Sequence, residues 1–237
     1  MTIYRKRSQS INKLYVAIIE CGCQTVCFTS AELEEGLTTI ASVVAQTAAS
    51  YGRRVLYCDF GNYNTSLSVQ LHMEIVAKEG SQLKLDPDTI RHVDELGFDL
   101  MTLPGPRPLD TSLIKQENLE VFFSELKTKY DLIIIDAHSY NKYQPYTLPT
   151  RLLCEVADAT VLVILSGVVT LIEVKDTTTQ MVESGVKLLG IVMNDRDYPR
   201  LLDELLKVTT RLDKYFPKLA IYIRKKLHSS VILNTEI

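Results

Sequence analysis

The chain has 237 residues, 46% of them hydrophobic and 23% charged, which supplies a buried core for one large domain and excludes a largely disordered chain. Its net charge of −3 gives no overall attraction to nucleic acid, so any such contact would need a local basic patch. The longest apolar runs, residues 159–165 and 132–135, are too short to cross a bilayer, and the opening MTIYRKRSQS lacks the apolar core of a secretory signal. A cytoplasmic protein is therefore expected, with its five cysteines as reduced thiols. Cys27 and Cys58 fall in apolar runs, where cysteine behaves as a small hydrophobe. Cys21-Gly22-Cys23 has no second ligand pair at zinc spacing, which argues against a metal site.

In chain order, a helix is expected over residues 4–20 and a short β-branched strand over 25–29. An alanine-rich helix over 38–50 closes at Gly52, and a strand follows over 55–59. Residues 71–97 read as polar and irregular, followed by a strand over 98–103 and the proline-rich loop Leu103-Pro-Gly-Pro-Arg-Pro108. A helix over 118–129 places Leu119, Phe122, Phe123 and Leu126 on one stripe, and strands follow over 132–136, 160–165 and 188–193. Strands alternating with helices, several apolar at nearly every position, predict an α/β fold: a three-layer, doubly wound, mainly parallel sheet covered on both faces. Ligands of such sheets sit beyond the carboxyl ends of the strands. Residues 1–197 read as this domain and 198–237 as a helical extension, with Leu201, Leu202, Leu205 and Val208 on one side of a helix over 198–212.

The segment from Cys27 to Ala41 runs from strand through loop into helix, where a phosphate loop belongs. Such a loop needs glycines to curl its N–H groups around phosphates, a lysine for the β and γ oxygens and a Ser/Thr hydroxyl for magnesium. The pattern G-x-x-x-x-G-K-[ST] puts Ala31 at the first glycine, Gly36 at the second, Leu37 at the lysine and Thr38 at the metal ligand. Ser30-Ala31 with Glu35-Gly36-Leu37-Thr38-Thr39-Ile40-Ala41 resembles the S-A-x-x-x-E-G-K-T-T-I-A segment of bacterial tyrosine kinases, cytoplasmic partners of polysaccharide chain-length regulators. ParA and MinD ATPases are more distant in resemblance. The likeness continues in order: Asp59 matches the first aspartate of an Asp-x-Asp motif whose second position is here Gly61. The Leu103-to-Pro108 loop resembles a Gly/Pro-rich segment of the family, and Tyr130-Asp-Leu-Ile-Ile-Ile-Asp136 its Walker B strand. After Asp136 the family continues Thr-Pro-Pro, where this chain has Ala137-His138-Ser139. Asn194 ends the last core strand where the family has its base-proximal asparagine.

The resemblance implies a P-loop NTPase-like fold with a vestigial nucleotide site of Gly36, Thr38, Thr39, Asp59, Asp136 and Asn194, in which Leu37 replaces the lysine. Losing the lysine removes a charge-assisted contact of about 1.5–3 kcal/mol and hurts phosphoryl transfer, which runs on positioning and electrostatics, more than binding. Glu34 stands where the family often has glycine. Either Glu34 and Glu35 both face an incoming polyanion, or Glu35 points to solvent and only Glu34 is new. The ring-forming E-x-x-R-x-x-R pattern and the C-terminal tyrosine cluster of the family are also missing. These departures predict a pseudo-enzyme with no catalytic residue, metal or cofactor, working by binding another protein. The alternative is weak Mg-ATP binding, with a lysine such as Lys142 supplied from elsewhere. Lys214, Lys218, Arg224, Lys225 and Lys226, interleaved with Phe216, Leu219, Ala220, Ile223 and Leu227, form a basic amphipathic tail suited to an anionic inner-membrane surface, to a homodimer contact, or to completing the core.

Overall fold

The computed structural model describes residues 2–61, 67, 85–103, 115–142, 147–196, 209 and 217–228. Seven strands form one sheet: β1 (Thr25–Ser30), β2 (Val55–Asp59), β3 (Arg91–Val93), β4 (Phe98–Thr102), β5 (Leu132–Asp136), β6 (Ala159–Leu165) and β7 (Leu188–Asn194), in the order β3-β4-β2-β5-β1-β6-β7. β1 pairs in parallel with β5 and β6, and β2 with β4 and β5, in a register that sets Phe28 and Asp59 beside Asp136. The doubly wound α/β architecture expected from the alternation is therefore present, with strand bounds within a residue of the reading.

β1, β2, β5 and β6 are buried at every position, and their period-2 geometry sends alternate side chains to opposite faces. Cys27, Leu56, Cys58, Ile133, Ile135 and Leu162 pack on one face against Leu119, Phe123 and Leu126 of α3 (Gln116–Lys127), Leu153 and Cys154 of α4 (Thr150–Val156) and Met181 of α5 (Leu171–Glu183). On the other face Val26, Phe28, Val55, Tyr57, Leu132, Ile134 and Val161 pack against Tyr15 and Ile18 of α1 (Thr2–Glu20) and Ala41, Val44, Ala45 and Ala48 of α2 (Leu37–Ser50). Small residues on α2 let that helix sit close to the sheet, which fixes its first turn over the strand ends.

The amino ends of the strands are closed by two carboxylates. Asp131 takes Arg54 in an ion pair at 2.7 Å and accepts the Arg54 backbone N–H at 2.9 Å. Asp158 accepts Lys127 Nζ at 2.7 Å and the backbone N–H groups of Gln24 and Thr25 at 3.0 and 2.8 Å.

Two readings need correction. The stretch taken as irregular contains β3, an edge strand antiparallel to β4, with His92 opposite Asp99 and the pair joined at 2.6 Å. A three-residue strand shows no usable alternation, and its turn is made by Gly97 at φ 72°. Nor are all five cysteines thiols: Cys21 and Cys23 are bonded to each other, because Gly22 at φ 71° folds the turn after α1 and brings their Cα atoms to 5.4 Å. Cys27, Cys58 and Cys154 are free and buried.

The chain divides into two compact units, one of residues 1–164 and 169–194, the other of residues 165–168 and 195–237. In the second, α6 (Pro217–His228) buries Ala220 and exposes Ile221 and Tyr222, and Arg224 donates from Nε to the Thr209 hydroxyl at 3.0 Å and from its guanidinium to the Thr209 carbonyl at 3.2 Å. One tail cation is thus spent internally. Apart from Thr209, the expected helix over 198–212 lies outside the described residues, as do residues 104–108 of the proline-rich loop, Lys214 and Phe216. No helix among the described residues is long and apolar enough to cross a membrane.

Candidate functional site

β1 delivers the chain to the carboxyl edge of the sheet, where Ser30 to Leu37 turns into α2. The turn is held by its own side chains. Ser30 Oγ donates to the Glu32 carbonyl at 2.6 Å, and the Glu32 N–H donates to Glu35 Oε2 at 2.8 Å. Glu34 has φ 61° and Gly36 φ 79°, both left-handed. For Gly36 this costs nothing; for Glu34 the crowding of Cβ costs about 1–2 kcal/mol. The position where the resemblance expects glycine has kept the glycine conformation and changed the residue.

The two readings of the glutamates are both corrected. Glu35 is 1% exposed, its carboxylate turned back on the loop N–H rather than toward solvent or an incoming anion, while Glu34 is exposed. Leu37 is half-buried and packs against the apolar cluster beneath α2. A lysine would project its charge from this first helical position; the leucine lies half-buried against the core instead.

Below the loop, β2 and β5 bring their terminal aspartates side by side, Asp59 opposite Asp136. Both are buried. Asp136 Oδ2 accepts the Tyr57 hydroxyl at 2.7 Å, and the nearby Thr38 side chain favours the charged carboxyl. Asp136 Oδ1 is buried without a hydrogen-bond partner. Burial, and then the charge of Asp59, push the Asp136 carboxyl up to about 7, against the bonds from Tyr57 and Thr38. Burial likewise pushes the Tyr57 phenol far up. The site favours protons over negative charge.

The segment after β5 runs alongside the end of β1. Ala137 N–H donates to the Phe28 carbonyl and Tyr140 N–H to Ser30, while Ser139 Oγ donates to the Ala31 carbonyl and Thr29 Oγ1 to that of His138. His138 is buried, which holds its imidazole below the usual value, and its Nδ1 has no partner. Lys142 reaches the loop and pairs with Glu32 at 3.0 Å.

The structure therefore gathers Gly36, Thr38, Asp59 and Asp136 at one edge, and places Asn194 there too: its Nδ2 donates to the Glu35 carbonyl at 2.8 Å, so the asparagine anchors the loop. Thr39 is the exception, exposed on α2 with its carbonyl accepting the Ser42 hydroxyl at 3.0 Å. Gly61 is not required by space, since a Cβ there would lie 3.8 Å from Asp136 Oδ1 and from the Asp136 and Ala137 carbonyls. Sequence reasoning missed Tyr57 and His138. The signal for Tyr57 was available: two residues before Asp59 on one strand, it must share that aspartate's face. No three metal-ligating side chains converge among the described residues.

No protein-family model matches the sequence, and no curated protein matches it at a significant level. Solved structures do match. The kinase domain of the Escherichia coli tyrosine kinase ETK is 20% identical, covering 77% of this chain and 71% of that one, with a TM-score of 0.60. A chain of the Aquifex aeolicus MinC:MinD cell division protein complex is 19% identical over 78% of this chain and 72% of the matched one, with a TM-score of 0.58. A ParA family ATPase from Chlorobium tepidum is 20% identical over 78% and 80%, with a TM-score of 0.53. The chain has the fold these kinase and ATPase structures share.

Proposed function

We propose that this chain is a catalytically degenerate member of the P-loop ATPase and tyrosine-kinase group that works as a protein-binding or positioning component of a bacterial envelope-associated assembly, such as a polysaccharide, pilus or secretion system. The observation that carries the reading is Leu37, half-buried against the apolar cluster where the resemblance calls for a lysine. The surroundings support it. A magnesium-bound triphosphate does not fit this donor set: the loop presents the exposed carboxylate of Glu34, Glu32 and Lys142 neutralise one another, and the carboxyl of Asp136 is buried and proton-favouring. A protein partner is favoured by Leu171 and Ile172, adjacent at the start of α5 and 87% and 72% exposed. A cytoplasmic location, with the basic tail against an inner-membrane surface or a second copy, completes the proposal. Among the described residues, Ile221 and Tyr222 are exposed apolar groups on α6 that could serve it.

Calorimetric titration with ATP and ADP plus magnesium tests the reading, alongside Leu37→Lys. The natural chain is expected to show no binding tighter than millimolar, and micromolar affinity or phosphate release would overturn the proposal. A second reading, weak Mg-ATP binding, has one observation in its favour: Lys142 does stand beside the loop. It requires that Lys142→Ala abolish whatever binding the natural chain shows.

A further inference from the structure

Asp136 poses a problem that any occupant of this fold must solve. Its carboxyl group is fully buried and adjacent to a second buried carboxyl, that of Asp59. A carboxylate out of water needs a cation, a proton or hydrogen-bond donors. In this chain the donor comes from within. Tyr57 is fully buried in the middle of β2, its ring stacked on Phe98 with centroids 5.6 Å apart, and its hydroxyl reaches Asp136 Oδ2 at 2.7 Å. The same hydroxyl lies 3.4 Å from the Thr38 carbonyl. One phenol thus touches the Walker B-like strand and the first turn of α2 at once.

We propose that Tyr57 is the positioning residue that holds the loop and strand-end carboxylate together without metal, its phenolic hydrogen serving Asp136 in the place of a cation. The inference rests on the non-nucleotide reading above and deepens it. Magnesium gives up its water reluctantly and binds proteins through accessible oxygens at short range. Asp136 is buried and its Oδ2 is already engaged by a donor fixed in packed surroundings, so a hydrated ion would have to displace the phenol or shed its water to reach the buried Oδ1. Phe98 holds the ring from the side, and β2 carries it on the sheet rather than on a loop, which limits how far it can retreat. The first turn of α2 meets the same phenol through the Thr38 carbonyl. A loop that in an ATPase would be ordered by its ligand is here ordered by the sheet.

The test compares the natural chain with Tyr57→Phe, which keeps the ring and its stacking and removes the hydroxyl. Hydrogen exchange in Y57F is expected to rise about tenfold in peptides covering residues 31–41 and 133–140, the fold-change of one lost hydrogen bond, and to stay unchanged over residues 171–183. Millimolar manganese should restore protection to those peptides in Y57F and leave the natural chain unaffected. Uniform loosening, no loosening, or no manganese response in Y57F would each overturn the inference. Should Y57F not fold, manganese titration of the natural chain by water-proton relaxation still decides: absence of saturable binding below millimolar supports the assignment, and saturable binding refutes it. Metal binding by the natural chain without nucleotide binding would sink this inference alone, whereas tight nucleotide binding would sink the functional reading.

Discussion

The two ends of the same sheet treat aspartate in opposite ways. At the amino ends, Asp131 and Asp158 meet guanidinium, ammonium and backbone N–H groups. The bonds from Arg54 bring the Asp131 carboxyl down to about 2, and although burial works against the Asp158 charge, its bonds to Lys127 and Thr25 hold it below the ordinary value. At the carboxyl ends, Asp59 and Asp136 are buried side by side, and Asp136 is pushed up to about 7. One end is built for stability. The other keeps an arrangement that stability does not reward, the usual mark of a site that serves or once served a ligand.

The largest effect that sharpens this contrast is expected at Asp136. Its folded-state carboxyl lies above the ordinary 3.8, so the folded chain holds the extra proton between those values. The associated stability is complete below about pH 4 and is lost as pH climbs through about 7. Asp136→Asn should match the natural chain in acid and exceed it by a few kcal/mol above neutrality, read as urea midpoints across pH. A constant offset at every pH would break the comparison. Next comes Asp158→Ala, which strands the buried Thr25 N–H and should cost about 1–3 kcal/mol at neutral pH; a cost within error would mean the amino end is not the anchored one. Glu34→Gly relieves a left-handed side chain and should raise stability by about 0.5–1 kcal/mol, less than the full strain because glycine also loosens the unfolded chain. A loss there would show that Glu34 is held by something stronger than its strain. The smallest effect is expected for Arg54→Ala. Its side chain is mostly exposed, so about 1 kcal/mol or less should be lost, and less still in high salt.

Much of the fold was legible because its strands are short, apolar and separated by helical periodicity. β1, β2, β5, β6 and β7 could be placed within a residue for that reason. β3 was hidden because three residues carry no pattern, and because its pairing with β4 is decided by a turn and a His92–Asp99 contact that only tertiary structure supplies. α4 and α5 were not delimited either: α4 has seven residues, too few for a stripe, and α5 opens on exposed Leu171 and Ile172, which blur its face. For the site, residue identity located Gly36, Thr38, Asp59, Asp136 and Asn194, since each ends or follows a strand. What identity does not carry is direction. Nothing in the sequence shows that Glu35 folds inward, that Asn194 grips the loop backbone, or that a tyrosine in an apolar run spends its hydroxyl on the neighbouring strand's aspartate.

The open space at Gly61 bears on how such a site could be rebuilt. Because a Cβ there meets only ordinary contacts at 3.8 Å, the first atom of a side chain can be accommodated; the further obstacle to an aspartate is Coulombic, a third acid beside two that are already buried side by side. Restoration thus has a preferred order: Leu37→Lys before Gly61→Asp, so that the third carboxyl group arrives where a cation already stands.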